Sequence, residues 1–158
     1  MKINNGIKLA VSILLPLLIG VIGSAATMPE IRGWYATINK PALLPPNWVF
    51  GPTWTLLYLL MGVSFHLVWT SKNIKKKMGM AWKWFLGQLG LNLLWSFLFF
   101  KWHLLFLASI EIVALWIIIL GNIKSFEKIN KLSANLLVPY LLWVTFATYL
   151  TVSVWLLN

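Results

Sequence analysis

The sequence predicts an all-α polytopic membrane protein: a single domain over residues 1–158, built as a bundle of five transmembrane helices with a cytoplasmic N-terminus. Three observations predict it. The first is composition. Of 158 residues, 60% are hydrophobic and only 10% are charged, whereas an ordinary soluble domain carries about 25% charged residues. A chain this short leaves much of its surface exposed, so a soluble monomer is excluded, and the apolar content excludes disorder. The second is pattern. The apolar residues come in long unbroken runs rather than in alternation, which selects helices over the strands of a barrel. The third is the distribution of positive charge, described below.

A hydrocarbon core about 30 Å thick needs about 20 apolar residues as helix. Five runs meet that length: Ile7 to Thr27, Phe50 to Thr70, Met80 to Phe100, Leu104 to Ile123 and Ala134 to Leu157. The first has a rival reading as a signal peptide, because Lys2 and Lys8 precede an apolar stretch that ends in Ser24-Ala25-Ala26. Its apolar stretch is longer than a usual signal core, and Pro16 is tolerable in a membrane helix. Lys101-Trp102-His103 is so short that the third and fourth spans form an antiparallel hairpin.

Lys2, Lys8, Lys72, Lys75, Lys76, Lys77, Lys83, Lys124, Lys128 and Lys131 fall on one side of this arrangement, and only Arg32, Lys40 and Lys101 on the other. The positive-inside rule then puts the N-terminus in the cytoplasm and the C-terminus outside. The formal net charge of +10 is therefore a topology signal. The Lys75-Lys76-Lys77 run has anionic lipid headgroups as a second role, and nucleic acid is not an expected partner.

The longest connection is the outer loop Met28 to Val49. Long loops in compact proteins are functional or disordered. This one holds Trp34, Tyr35, Pro41, Pro45, Pro46 and Trp48, which are stiff or bulky, so it reads as a folded lid over the outer face.

The chemistry available is narrow. There is no cysteine, with only two histidines and three acids, so disulfides, thiolate metal sites and cysteine nucleophiles are excluded. His66 and His103 lie at opposite ends of the bundle and cannot share a metal, and no metal site is expected. Eleven tryptophans are the conspicuous excess. Trp34, Trp48, Trp69, Trp82, Trp102 and Trp155 lie near span ends, where an interfacial belt accounts for them, and Trp84 goes with Trp82. Trp54, Trp95, Trp116 and Trp143 lie deeper, where an indole N–H needs an acceptor or the ring fills a helix interface.

Polar residues at depth mark the same region. Gln88 and Asn92 share a face of the third span. Glu111 is the only acid inside a span, and it is either a functional group or a structural partner of Gln88. Trp54, Tyr58, Met61 and Phe65 form one stripe, and Tyr140, Trp143, Ala147 and Leu150 another. Ala147 interrupts the bulk of the second stripe. Together these residues predict an aromatic-walled cavity under the lid, suited to a large, planar, mostly apolar ligand. Arg32 or Lys40 offers a cation to an anionic substituent. Gly87 and Gly90 mark a small-residue face on the third span, either a dimer contact or a close approach within the bundle.

The run Trp34-Tyr35-x-x-x-x-Lys40-Pro41-x-x-x-Pro45-Pro46-x-Trp48-Val49-Phe50-Gly51-Pro52-x-Trp54-x-x-x-Tyr58 resembles the signature of the TspO/MBR family. These are the tryptophan-rich sensory proteins and translocator proteins, the mitochondrial peripheral-type benzodiazepine receptor among them. Gly87-Gln88-Leu89-x-Leu91-Asn92-x-x-Trp95 and Pro139-Tyr140-Leu141-x-Trp143-x-x-Phe146-Ala147 match the same pattern. The likeness runs over nearly the whole chain.

The resemblance implies a five-helix bundle in a bacterial cell membrane, commonly a homodimer, with Gly87 and Gly90 as its candidate face. It implies a receptor or sensor for porphyrins such as protoporphyrin IX and for benzodiazepine- or isoquinoline-type ligands, with no required cofactor. The matching pocket positions are Tyr35, Trp54, Asn92, Trp95, Trp143 and Ala147. It also implies, as an alternative, light- and oxygen-dependent porphyrin degradation carried by Trp54 and Trp143. Transport of porphyrin or lipid ranks third, because the chain shows neither an inverted repeat nor a pair of broken helices. Sterol recognition through the motif of animal members is not expected. Val152 and Leu156 stand where its tyrosine and arginine belong, and no Lys or Arg follows Tyr149.

Overall fold

The structure, a computed structural model, describes residues 4–72 and 78–158. Lys2 and the Lys75-Lys76-Lys77 run lie outside the described residues. Among the described residues there are helices and no strand. They are α1 (Asn5–Arg32), α2 (Trp34–Thr37), α3 (Asn47–Thr70), α4 (Met78–Ser96), α5 (Leu105–Glu127), α6 (Lys131–Leu136) and α7 (Val138–Leu157). Asn4 starts α1 by accepting the Gly6 N–H at 3.0 Å, a side-chain cap on an otherwise unpaired donor.

Four helical stretches are long and apolar enough to cross a membrane: Asn5–Arg32, Asn47–Thr70, Leu105–Glu127 and Lys131–Leu157. Five were expected. The helix that falls short is α4, where Lys83, Gln88 and Asn92 interrupt the apolar run. The protein is an integral membrane protein by these four helices, and α4 is the polar member of the bundle.

Around the bundle α1 packs on α3 and α4, α5 packs on α4, α6 and α7, and α6 packs on α3. Close approach of α1 and α3 rests on Gly62, where a Cβ would come within 2.8 Å of the α1 backbone at Ser12 and Ile13. One turn away along α3, the Tyr58 ring lies over Gly20 of α1. The α3 and α7 backbones stay further apart, and aromatic rings bridge them.

Prolines act differently along the chain. Pro16, Pro29 and Pro52 sit within helices without ending them. Pro139 coincides with a break: the last expected span, Ala134 to Leu157, is divided at Leu137 into α6 and α7. Pro139 has no N–H to continue the ladder from α6, and the ladder restarts with Leu141 N–H on the Leu137 carbonyl at 3.0 Å.

The outer end of α4 changes pitch. Phe97–Lys101 form a π turn, closed by the Trp102 N–H on the Phe97 carbonyl at 2.8 Å. Three consecutive side chains of this turn, Leu98, Phe99 and Phe100, are all buried. His103 then takes a left-handed backbone, φ 55°, which turns the chain into α5.

The expected lid, Met28 to Val49, is shorter than the sequence indicates. α1 continues to Arg32 and α3 begins at Asn47, leaving Gly33 to Pro46 as α2 and an extended segment. α2 seats Tyr35 against Phe99 and Phe100, in a small outer core with Leu98, Ala108 and Val154. The main core lies below it, from Leu57 to Val68 on α3 across to Ile119 and Val144.

Candidate functional site

Asn92 is the hub of the outer half. Helical spacing on α4 places it on the buried face with Gln88 and Leu89. The Tyr58 hydroxyl donates to its Oδ1 at 2.6 Å, and its Nδ2 donates to the Tyr140 hydroxyl at 3.3 Å. Three elements, α3, α4 and α7, are thus joined by one side chain. Intramembrane polar groups bond across helices in this way because lipid offers no substitute.

Aromatic rings surround that hub. Trp54 stacks on Tyr58, centroids 5.6 Å apart, and meets Tyr140 edge-on at 6.3 Å. Trp95 stacks on Phe99 at 5.2 Å. Trp143 is held edge-on by Phe50 at 5.7 Å and Phe146 at 5.9 Å. Ala147 is buried in the main core. Of the six predicted pocket residues, Trp54 and Asn92 share partners directly. Trp95 and Tyr35 both pack on Phe99 and Phe100, and Trp143 lines the α3–α7 gap.

Under the lid these rings pack on one another. Two surface grooves lie elsewhere. One, about 300 Å³, is lined by Gly90, Leu93, Leu94, Phe97 and Trp102. The other, about 180 Å³, is lined by Val113, Trp116, Thr145 and Thr148.

The lid is fastened at both ends. Glu30 meets His103 Nε2 at 3.2 Å, and the Trp34 ring stacks on the His103 imidazole with centroids 4.0 Å apart. At the far end Asn39 and Asn158 exchange hydrogen bonds: Asn158 Oδ1 accepts the Asn39 N–H at 2.9 Å, and its Nδ2 donates to the Asn39 carbonyl at 3.0 Å. Lys40 folds back onto the lid. Its Nζ donates to the Ile38 carbonyl at 3.1 Å and lies over the Tyr35 ring, 5.1 Å from the centroid. Its charge is therefore engaged within the lid, contrary to its expected availability to a ligand. Burial of Tyr35 beneath it raises the phenol above its ordinary value of 10.0.

Several expectations are corrected here. Gln88 and Glu111 do not bond each other; neither side chain has a hydrogen-bond partner among the described residues. Trp48, Trp102 and Trp155 are exposed, as a belt position requires. Trp69 and Trp82 instead close on each other at 5.1 Å and pack on Phe65, and Trp84 lies against Gly121 of α5. Trp116 meets its expectation: at the α5–α7 interface its indole N–H finds an acceptor, Thr145 Oγ1, at 2.8 Å. Sequence reasoning missed the pairing of Asn92 with Tyr58 and Tyr140. All three stood in the motifs, but only the fold shows which side chains meet.

A model of the TspO/MBR family matches residues 12–156. This chain belongs to the TspO/MBR family. A tryptophan-rich protein TspO of Archaeoglobus fulgidus is 42% identical over 154 residues, covering 98% of this chain and 99% of the relative. Protein CrtK of Rhodobacter capsulatus is 37% identical over 138 residues, 86% and 85% of the two chains. The human translocator protein is 34% identical over 135 residues, 85% and 80% of the two chains. For a TspO/MBR chain, the residues that carry the resemblance are thus also the ones the fold gathers in the outer half. Tyr35, Trp54, Tyr58, Asn92, Trp95, Tyr140 and Trp143 all come from the three motifs.

Proposed function

We propose that this chain is a membrane receptor or sensor that binds tetrapyrroles such as protoporphyrin IX, and benzodiazepine- or isoquinoline-type planar molecules, beneath the lid. Tyr35, Trp54, Asn92, Trp95, Trp143 and Ala147 are its ligand-binding residues. The observation that carries this reading is the state of two indoles. The N–H groups of Trp95 and Trp143 are buried and have no hydrogen-bond partner among the described residues. Leaving a buried donor unpaired costs about 1–3 kcal/mol, which a ligand carrying acceptors would recover while its plane stacks on the rings. Because the rings pack on each other in the closed form, binding requires them to part, and the fastened lid sets the rate of entry.

The test is a dark titration of protoporphyrin IX into protein in lipid nanodiscs, followed by tryptophan fluorescence, with empty nanodiscs as the partition control. Saturable quenching that weakens in Trp143→Phe and Trp54→Phe is the expected result. Quenching that tracks lipid content alone would sink the proposal.

A second reading is oxidative. Trp54 and Trp143 flank the gap between α3 and α7, so a porphyrin held there would touch both. An excited porphyrin would take an electron from a neighbouring indole; dioxygen would add to the reduced macrocycle and open it, and the electron would return to the indole radical. Under light and oxygen the protein would then consume porphyrin faster than an equal amount of free tryptophan; equal rates would remove the catalytic claim. Transport of porphyrin or lipid stays third, and protein-dependent uptake into proteoliposomes would raise it.

We read α4 as a fifth span despite its polar residues, because it forms an antiparallel hairpin with α5. The lysine distribution supports a cytoplasmic N-terminus in a bacterial cell membrane. Gly87 and Gly90 are exposed, with nothing within 4 Å of where a Cβ would stand. That favours an outward homodimer face over a contact within the bundle. Cross-linking between cysteines introduced at position 87 is the check.

A further inference from the structure

The inner ends of α4 and α5 meet along a seam marked by Trp84, whose ring lies where a Cβ of Gly121 would stand. That contact sets Trp84 and Gly121 side by side at one depth. In antiparallel helices, the residue before Trp84 and the residue three after Gly121 turn toward the same side of the seam. These residues are Lys83 and Lys124, both exposed. Phe85 and Asn122 turn to the other side and are buried. At 1.5 Å per residue, the two lysines lie within about 3 Å of each other in depth. Among the described residues neither takes part in an ion pair. The nearest acid along α5, Glu127, is exposed three residues further inward and is followed by Lys128.

The positive-inside rule accounts for lysines at this end of the bundle. It does not account for two of them facing one side of a seam, beside an indole and in line with an apolar groove. Outward from Lys83, at steps of four and three residues, come Gly87, Gly90, Leu94 and Phe97 on the same face of α4. Nothing stands within 4 Å of a Cβ at either glycine. Gly90, Leu93, Leu94, Phe97 and Trp102 line the groove of about 300 Å³. It opens seven residues, about 10 Å, outward of Lys83. One leaflet supplies half of a hydrocarbon core about 30 Å thick, so a chain that starts at the lysines reaches Gly90 and Leu94.

We propose that the α4–α5 seam is a binding site for one anionic phospholipid of the inner leaflet, with its phosphate between Lys83 and Lys124, its glycerol backbone against Trp84 and an acyl chain in the Gly90 groove. Basic pockets between transmembrane helices take anionic headgroups in this way, and an indole suits the boundary between headgroup and chain. The proposal rests on the reading of α4 as a span and is separate from the ligand site beneath the lid. A second copy on the Gly87 and Gly90 face would close over the chain.

The test is native mass spectrometry of the protein in detergent micelles, titrated with phosphatidylglycerol or with phosphatidylcholine of the same chains. The wild type is expected to bind phosphatidylglycerol at least about tenfold more tightly. Lys83→Gln combined with Lys124→Gln should remove that preference. Lys72→Gln combined with Lys131→Gln, an equal loss of charge at the end of α3 and the start of α6, should leave it intact. Gly90→Leu fills the groove and should weaken both lipids severalfold while the preference stays.

Equal binding of the two lipids by the wild type overturns the proposal, as does a preference that survives the loss of Lys83 and Lys124. A preference that falls as far without Lys72 and Lys131 overturns it too, by reducing the attraction to net charge. Unchanged phosphatidylglycerol affinity in Gly90→Leu overturns it as well and leaves the groove to a second copy. Leu86→Cys separates these outcomes from a failure of the span. Leu86 is exposed on α4, and in proteoliposomes the bilayer should shield a cysteine there from a water-soluble maleimide. Labelling would remove the span and the lipid site together; a shielded cysteine with failed lipid arms removes the lipid site alone.

Discussion

The inner and outer halves of the bundle are built from similar residues and differ in what those residues leave unfinished. In the inner half, Phe65 and Phe85 lie face to face, 4.0 Å apart and 5° from parallel, both fully buried. Ser64 and Ser133 clasp reciprocally, each hydroxyl on the other's carbonyl at 2.8 Å. His66 Nδ1 and Asn122 Oδ1 are unpaired in the inner half, but in the outer half two indoles and a carboxyl keep unpaired polar atoms where rings meet at wider spacing around Asn92. The difference teaches that aromatic content does not define a site. Closely stacked rings hold helices together; more widely spaced rings beside unused polar capacity are where a ligand has something to gain.

The largest expected effect lies in the inner half. Phe85→Ala should destabilise the protein by about 3–5 kcal/mol through the cavity it opens. In detergent this is read as a lower thermal midpoint, with ligand affinity unchanged in the fraction that stays folded. A selective loss of affinity without loss of stability would erase the contrast between the halves. Asn92→Leu comes next. It strands the hydroxyls of Tyr58 and Tyr140 and should cost about 1–3 kcal/mol, with affinity falling as well, since Trp54 rests on both rings. Wild-type affinity in this variant would detach the hub from the site.

His103→Ala tests the lid. The contact with Glu30 is partly exposed, and it is an ion pair only when the imidazole is protonated. Its contribution to stability is under about 1 kcal/mol. The readable effect is kinetic: ligand dissociation should accelerate severalfold while the midpoint barely moves. An unchanged dissociation rate would mean the lid does not govern exit. The smallest effect is alkaline. The Tyr35 phenol is raised above 10.0 by burial. Its contribution to lid closure is therefore whole below pH 10, and it declines as the pH rises through the raised value. Tyr35→Phe should remove that decline in a dissociation assay run between neutral and strongly alkaline pH.

Four of the five spans and the two aromatic stripes were legible in the sequence, because helical periodicity and apolar length are local properties. The motif residues Tyr58, Asn92 and Tyr140, which the fold joins by hydrogen bonds, could be picked out in the sequence, though not their pairing. What the sequence hides is pairing. A tryptophan near a span end reads the same whether it stays exposed, as Trp48 does, or packs inward, as Trp69 and Trp82 do. The alternative of a bond between Gln88 and Glu111 fails, since both side chains are unpaired among the described residues. The tie between Asn39 and Asn158 joins residues 119 apart in sequence, beyond the reach of any local pattern. The π turn was invisible for a similar reason: consecutive apolar residues at Leu98, Phe99 and Phe100 do not announce a change of pitch.

The close seat of the Tyr58 ring on Gly20 has a consequence for how this protein would behave under random mutagenesis. A methyl group at position 20 would collide with that ring, at 2.5 Å from its nearest carbon. Tyr58 would have to swing away, taking with it the hydrogen bond to Asn92 and the support beneath Trp54. A screen scored on ligand retention would then flag Gly20, a residue on another helix with no polar atom to offer, as if it were part of the binding surface. Sorting true contacts from such remote supports requires comparing each hit with its effect on Tyr58 rather than with its distance from the ligand.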